Sequence, residues 1–119
     1  MRCIIRLIGI AATPEEQVAG LQNVAELPKY HGLLFVYRQP QVLTFWMHGV
    51  LIPLDIVFAD SKGQIVKVAT LMAGSTAPVS SDTPCCFALE VPAGTFARCG
   101  VAPGMRMKLA LGTRAVVIT

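Results

Sequence analysis

Two strand patterns separated by a Gly–Pro break occupy the middle of the chain, in the segment FWMHGVLIPLDIVFAD at residues 45–60. The first pattern ends at Gly49. The second pattern begins only after Pro53, at Leu54, because proline cannot donate a hydrogen bond to a strand ladder. A turn follows, and Ile65–Leu71 then lies at hairpin distance. The segment therefore predicts an antiparallel hairpin in which Gly63 supplies a positive φ.

The rest of the chain repeats this alternation of short β-forming runs and Gly/Pro turns. The predicted strands are residues 2–10, 33–37, 42–48, 54–59, 65–71, 86–91, 105–109 and 114–118, and residues 73–84 are a predicted loop. One helix is predicted after a capping box of Thr13 and Glu16, with Val18 and Leu21 on its apolar side, and another over Thr95–Cys99. We expect a mainly β fold: a compact antiparallel β-barrel or sandwich of about seven or eight strands with two short helices.

Composition limits the classes of protein that fit. The 119 residues are 54% hydrophobic and only 14% charged, so a folded core is expected, and we predict that residues 1–119 form a single domain. The net charge is +3 and the basic residues are scattered singly; no nucleic-acid partner is therefore expected. No apolar run is long enough for a membrane span.

The compartment depends on how the N-terminus is interpreted. Arg6 interrupts the first apolar run, which makes it short for a signal peptide. We expect a cytoplasmic protein if the chain is complete as given, and an exported one if a signal peptide was removed or is not recognised.

The chain has four cysteines, Cys3, Cys85, Cys86 and Cys99. An even number would allow two disulfides, but the spacing contains no CxxC pair and does not suggest a zinc site. We predict that the four side chains are small buried hydrophobic groups in their reduced form.

Trp46, His48 and Asp55 are candidate ligand-binding residues. On an extended strand Trp46 and His48 share one face, and Asp55 is a carboxylate inside an apolar strand, where it needs partners. Together they could form a pocket for a sugar or another small polar ligand. The alternative is that Asp55 binds backbone amides of a nearby turn and that Trp46 belongs to the core.

Glu90 is the fourth candidate. Paired with Asp55 and assisted by His48, it could form the two-carboxylate site of a small hydrolase. A histidine-based metal site would need both His31 and His48 together with a carboxylate. No spacing supports such a site, so no metal and no cofactor is expected. Asp60 is best explained as a turn residue.

The chain resembles the family called domain of unknown function 192, which comprises small bacterial and archaeal proteins. The motifs that carry the resemblance are AGLQ at 19–22, HGLLF at 31–35, FWMH at 45–48, IPLDIVF at 52–58, Asp60 with Gly63 and Ile65, Leu89-Glu90 with Ala93-Gly94, and Gly100-Val101 with Gly104. The resemblance implies a β-rich, barrel-like fold and no established activity. Gly49 stands where the family usually has Asn, which removes one polar candidate for a family site.

The hypothesis we favour is a non-enzymatic module that binds a small polar ligand or a protein partner through the face around Trp46 and His48. One alternative is the carboxylate-pair hydrolase. Another is a structural or assembly accessory protein of a cell or phage, for which the high apolar content would favour a homo-oligomer.

Overall fold

The computed structural model describes residues 2–110 and 112–119. Within them the chain forms seven strands and two short helices, which confirms the predicted mainly β class. In chain order they are β1 (Cys3–Ala11), α1 (Pro14–Ala19), β2 (His31–Phe45), β3 (Leu54–Ala59), β4 (Ile65–Leu71), β5 (Val79–Pro92), α2 (Thr95–Cys99), β6 (Met107–Ala110) and β7 (Ala115–Ile118). No helix in these ranges is long and apolar enough to cross a membrane.

The strands form one sheet in the order β4-β3-β5-β2-β1-β7-β6. Of the six strand pairs in the described residues, five are antiparallel, as predicted, and β1 and β2 are parallel. The parallel pair follows from the crossover through α1, which returns the chain to the end of the sheet from which β1 started. The long strands β2 and β5 pair at the centre.

The sheet curls until its two edge strands meet at one end, which gives a half-barrel. The amide of Ile65 donates to the Met105 carbonyl at 2.8 Å, and the amide of Met107 donates to the Gly63 carbonyl at 2.8 Å. A Cβ at Gly63 would lie 2.5 Å from the Met107 carbonyl oxygen, and the φ of Gly63 is +82°. This position therefore requires glycine for the turn that was predicted and also for the closure of the sheet.

Two regions that the sequence separates are continuous in the structure. The predicted strand 33–37 and residues 42–45 of the predicted strand 42–48 belong to the single strand β2, which ends at Phe45, so residues 46–48 lie beyond it. The pairing of β2 with β5 is irregular between Val36 and Gln41, around Pro40. The predicted loop 73–84 is shorter because β5 already begins at Val79. Lys67 of β4 donates to the carbonyl of Ser80 and to the carboxylate of Asp82, both at 2.7 Å, and so holds this part of β5 in place.

Each face of the sheet carries its own hydrophobic cluster. The inner cluster draws residues from all seven strands and from Phe96 of α2, so it fills the space that the curled sheet encloses. The outer cluster lies on the opposite face of β2, β3 and β5 and is covered by Leu21, Met47 and Val50 from the connecting segments. The ring of Phe45 meets Phe35 and Phe58 edge to face there, at centroid distances of 4.7 and 5.7 Å.

The cysteine prediction is half wrong. Cys3 of β1 and Cys99 of α2 form a disulfide, with their Cα atoms 5.5 Å apart. Cys85 and Cys86 are free and buried, as predicted. Cys3 and Cys99 are 96 positions apart in sequence, and only the folded inner cluster brings them together.

Candidate functional site

A cleft of about 500 Å³ opens on the outer face of the sheet. One wall is α1 with the turn that follows it, the other is the segment Trp46–Val50, which we call the tryptophan arm, and the floor is formed by β2 and β5. The residues lining this cleft are Pro14, Gln17, Val18, Ala19, Gly20, Leu21, Gln22, Phe35, Tyr37, Thr44, Phe45, Trp46, His48, Val50 and Glu90. Three of the four candidate residues from the sequence are among them.

Trp46 and His48 lie on the wall formed by the tryptophan arm. As predicted, they lie on the side opposite to Phe45 and Met47; Trp46 and His48 are exposed, whereas Phe45 and Met47 are buried. The indole of Trp46 is 64% exposed, so the alternative that it belongs to the core is wrong. The arm is held from below by Met47, which is fully buried, and from the side by the amide of Asn23, which donates to the Gly49 carbonyl at 2.9 Å.

The opposite wall is equally anchored. The capping box that begins α1 is present: the Glu16 amide donates to the Thr13 hydroxyl at 3.2 Å, and the Thr13 amide donates to the Glu16 carboxylate at 3.0 Å. Gln17 donates from its side chain to the Val36 carbonyl at 2.8 Å, which ties the helix to β2. Because both walls are anchored to the sheet, the cleft is preformed rather than created by a ligand.

Glu90 lies on the floor of the cleft and is only 4% exposed. Its position follows from strand alternation: Ala88 belongs to the outer cluster and Leu89 to the inner one, so Glu90 points outward. No hydrogen bond or ion pair joins its carboxylate to any group in residues 2–110 and 112–119. Burial without such partners raises the pKa of Glu90 to about 7.

Two cleft residues were missed by the sequence analysis. Tyr37 is half-buried beside the floor, and burial, with the charge of Glu90 as a second cause, raises its pKa. Val18 was predicted on the apolar side of α1, but it is 78% exposed on the wall of the cleft. The spacing of Phe35 and Tyr37 by two residues was the available signal for Tyr37. It could not be used without knowing which strand pairs with β2.

Asp55 lies outside the cleft. It occupies β3 between Leu54 and Ile56, which both belong to the outer cluster, so its side chain points to the inner face. Its carboxylate accepts from the amides of Gly94 at 2.9 Å and Phe96 at 3.2 Å, and from the Thr70 hydroxyl at 3.0 Å. The expectation that Asp55 shares a pocket with Trp46 is therefore wrong, and the alternative that it binds the amides of a turn is confirmed.

The same geometry excludes a hydrolase mechanism in which Asp55 and Glu90 act as a carboxylate pair. A glycosidase needs its two carboxyl groups on either side of one bond of the substrate. Asp55 pairs across the sheet with Val91, and Ile56 pairs with Glu90, so the two carboxylates point to opposite faces.

In the part of the chain that the structure describes, no three His, Cys, Asp or Glu side chains gather in a metal-binding arrangement. Asp60 accepts from the amides of Lys62 and Gln64, both at 2.9 Å, as predicted for a turn residue.

The buried carboxyl of Glu90 has a consequence for stability. Its pKa rises from 4.5 to about 7 on folding, so the folded chain binds the proton more tightly than the unfolded chain does. Stability is therefore lost as the pH rises from about 4.5 to about 7. Glu90→Gln should match the wild type near pH 4.5 and exceed it by about 3 kcal/mol at pH 8.

Urea unfolding of both proteins at the two pH values measures this difference. The control is Glu26→Gln, at an exposed position after α1, which should leave the pH dependence of the wild type unchanged. An equal effect of Glu90→Gln at pH 4.5 and pH 8 would contradict the prediction.

Comparison with known proteins assigns the chain to a family. The family model DUF192, described as "Uncharacterized ACR", matches residues 5–109. A solved structure from Sinorhizobium meliloti 1021, provisionally described as a transcription regulator, is 30% identical with a TM-score of 0.81 over 88% of each chain. A protein of unknown function from Novosphingobium aromaticivorans DSM 12444 is 29% identical, with a TM-score of 0.79 over 87% of this chain and 79% of that one. No curated protein matches significantly. The predicted family is confirmed, and the chain belongs to DUF192.

Proposed function

We propose that this protein is a non-enzymatic binding module that holds a small polar ligand in the cleft between α1 and the tryptophan arm. The observation that carries the proposal is the exposed indole of Trp46 on the wall of a preformed cleft whose floor presents the unpartnered carboxylate of Glu90. Binding sites for small molecules combine apolar walls with a few convergent polar groups in this way.

The apolar part of the cleft is suited to stacking. Trp46 of the tryptophan arm and Val18 of α1 are 64% and 78% exposed and both line the cleft, so each offers apolar surface to a flat ligand. Phe35 and Phe45, which meet edge to face, add aromatic surface to the lining of the cleft. An indole offers a broad, rigid contact surface that loses little conformational entropy on binding.

The polar part of the cleft can fix the orientation of a ligand. Tyr37 and Glu90 lie at the floor, and Gln22, Thr44 and His48 contribute polar groups to the walls. These side chains belong to different elements that converge only in the fold. The proposal takes residues 1–119 as one domain, and the catalytic alternative is not retained because Asp55 and Glu90 do not converge.

Replacing Trp46 with alanine tests the proposal. A thermal-shift and NMR screen of sugars, nucleotides and short peptides first identifies ligands of the wild type. The variant should then bind each ligand of the cleft roughly tenfold more weakly, because about 1–1.5 kcal/mol of aromatic contact is lost. Its melting temperature should change little, because the indole is mostly exposed.

The matched control is Leu51→Ala. Leu51 follows the tryptophan arm and is 57% exposed, but it does not line the cleft, so its replacement should leave affinity unchanged. A ligand whose affinity is the same in wild type and Trp46→Ala binds elsewhere, and a screen in which every ligand behaves so overturns the proposal.

A further inference from the structure

Among the residues that line the cleft, the ionisable side chains are Tyr37, His48 and Glu90. Neither a lysine nor an arginine is among the lining residues. Glu90 is therefore the acidic group of the cleft, and it lies at the floor with 4% of its surface exposed. The electrostatic potential at the floor is negative whenever this carboxyl is ionised.

The position of Glu90 has no structural need for a carboxyl group. Its cross-strand neighbours on the same face are Leu33 and Ile56, and Ala88 precedes it on that face. An apolar side chain would continue this cluster without loss. A carboxylate there is unfavourable to folding, since buried charges need a partner, and the described residues provide none. In the described residues no side-chain oxygen that is sealed from solvent lacks a partner, so the carboxylate oxygens of Glu90 open to the cleft, and their partner is sought there.

The groups around Glu90 define that partner. A cation with N–H donors satisfies a desolvated carboxylate better than a neutral hydroxyl does, because charge-assisted hydrogen bonds are about twice as strong as neutral ones. Aromatic faces also attract cations, and an indole offers a broad apolar surface to the alkyl part of such a ligand. Tyr37 and Trp46 line the same cleft as Glu90. A cleft that combines a carboxylate with aromatic side chains is complementary to an organic cation.

We propose that the ligand of the cleft carries a cationic nitrogen with N–H donors, an alkylammonium or an alkylguanidinium, whose charged head binds Glu90 while its apolar part lies against Trp46. This inference rests on the proposed function, because it specifies the ligand class of the same cleft. It predicts that affinity depends on charge at both ends: on the cation of the ligand and on the ionised form of Glu90.

Small probes separate these requirements. n-Butylammonium and n-butylguanidinium carry the two candidate heads on one alkyl chain, n-butanol is the neutral analogue, and tetramethylammonium is a cation without N–H donors. Trp46 is the only tryptophan of the chain, so its indole N–H signal in a ¹⁵N-labelled sample reports on the cleft without ambiguity. The two butyl cations are compared to determine which head group is preferred.

We expect one or both butyl cations to shift the Trp46 indole signal in a saturable way, and the two controls to bind at least tenfold more weakly. In Glu90→Gln, which keeps the size of the side chain, the affinity for the cations should fall at least tenfold. In the wild type it should rise from pH 6 to pH 8 as Glu90 ionises. His48 also faces the cleft, so the pH series is repeated in His48→Gln, where the rise should persist.

Equal binding of the cations by wild type and Glu90→Gln would overturn the inference, and so would n-butanol binding as tightly as the cations, or no saturable shift with either cation. None of these results tests the proposed function, which is decided separately by the effect of Trp46→Ala on the affinity for ligands found in the screen. If a neutral ligand binds Glu90→Gln as tightly as the wild type but binds Trp46→Ala more weakly, the proposed binding module stands and the inference of a cationic ligand is overturned.

Discussion

Replacing Asp55 with alanine is expected to lower the free energy of unfolding by about 4 kcal/mol, because two buried amides would be left without acceptors at about 1–3 kcal/mol each, together with the loss of a charge-assisted cap. The carboxylate is 5% exposed and accepts from the amides of Gly94 and Phe96, at the start of α2. It acts as the cap of a helix whose own N-cap residue, Gly94, has no side chain to offer.

Two further variants separate the contributions to this effect. Thr70→Val removes only the hydroxyl that donates to Asp55 at 3.0 Å, so a loss of about 1 kcal/mol is expected. Asp55→Asn keeps one carbonyl acceptor and should fall between the two. Urea unfolding monitored by circular dichroism gives the free energies. A loss below 1 kcal/mol in Asp55→Ala would show that the two amides find other acceptors, contrary to the structure.

Removing the disulfide between Cys3 and Cys99 is expected to have a comparable effect. The bridge closes most of the chain, with a sequence separation of 96. Loops of this size restrict the unfolded chain by roughly 4–5 kcal/mol in the chain-entropy model. We therefore expect the double variant Cys3→Ser/Cys99→Ser to lose about 4 kcal/mol of stability, with a correspondingly lower urea midpoint.

A reductant provides the matched control for the disulfide. It should lower the urea midpoint of the wild type toward that of the double variant and leave the double variant itself unchanged. Thiol titration of the unfolded, non-reduced protein should find two reactive groups, those of Cys85 and Cys86. Four reactive thiols, the full number in the chain, would mean that the bridge does not form.

Elements set by neighbouring residues could be predicted from the sequence. The capping box of Thr13 and Glu16, the turn at Asp60, the strand Ile65–Leu71 and the helix Thr95–Cys99 all occur as expected. The capping box and the Asp60 turn depend on side chains within about four positions of one another, and such interactions are visible in a linear pattern. The strand and the helix were recognisable from residue type and the flanking turns, although the helix is capped by the distant Asp55. The family resemblance was recognisable for the same reason, since its motifs are short contiguous runs.

The candidate site could be predicted only in part. Trp46 and His48 were correctly separated from Phe45 and Met47 by alternation along a single segment, but only the structure showed that their side is the exposed one. The roles of Asp55 and Glu90 depend on strand pairing. Both are acidic residues between apolar neighbours in a strand, and the sequence made them look alike. In the structure one caps α2 from the inner face, and the other lies unpartnered at the floor of the cleft on the outer face.

The sequence by itself determined the β-rich class, the local turns and the capping box of α1, because these follow from residue type and short-range spacing. Only the tertiary structure decided the parallel pairing of β1 with β2, the disulfide across 96 positions and the separation of Asp55 from Glu90. Sheet register and curl assign each side chain to a face and to a neighbour distant in sequence. The cleft depends on these contacts, which no local pattern encodes.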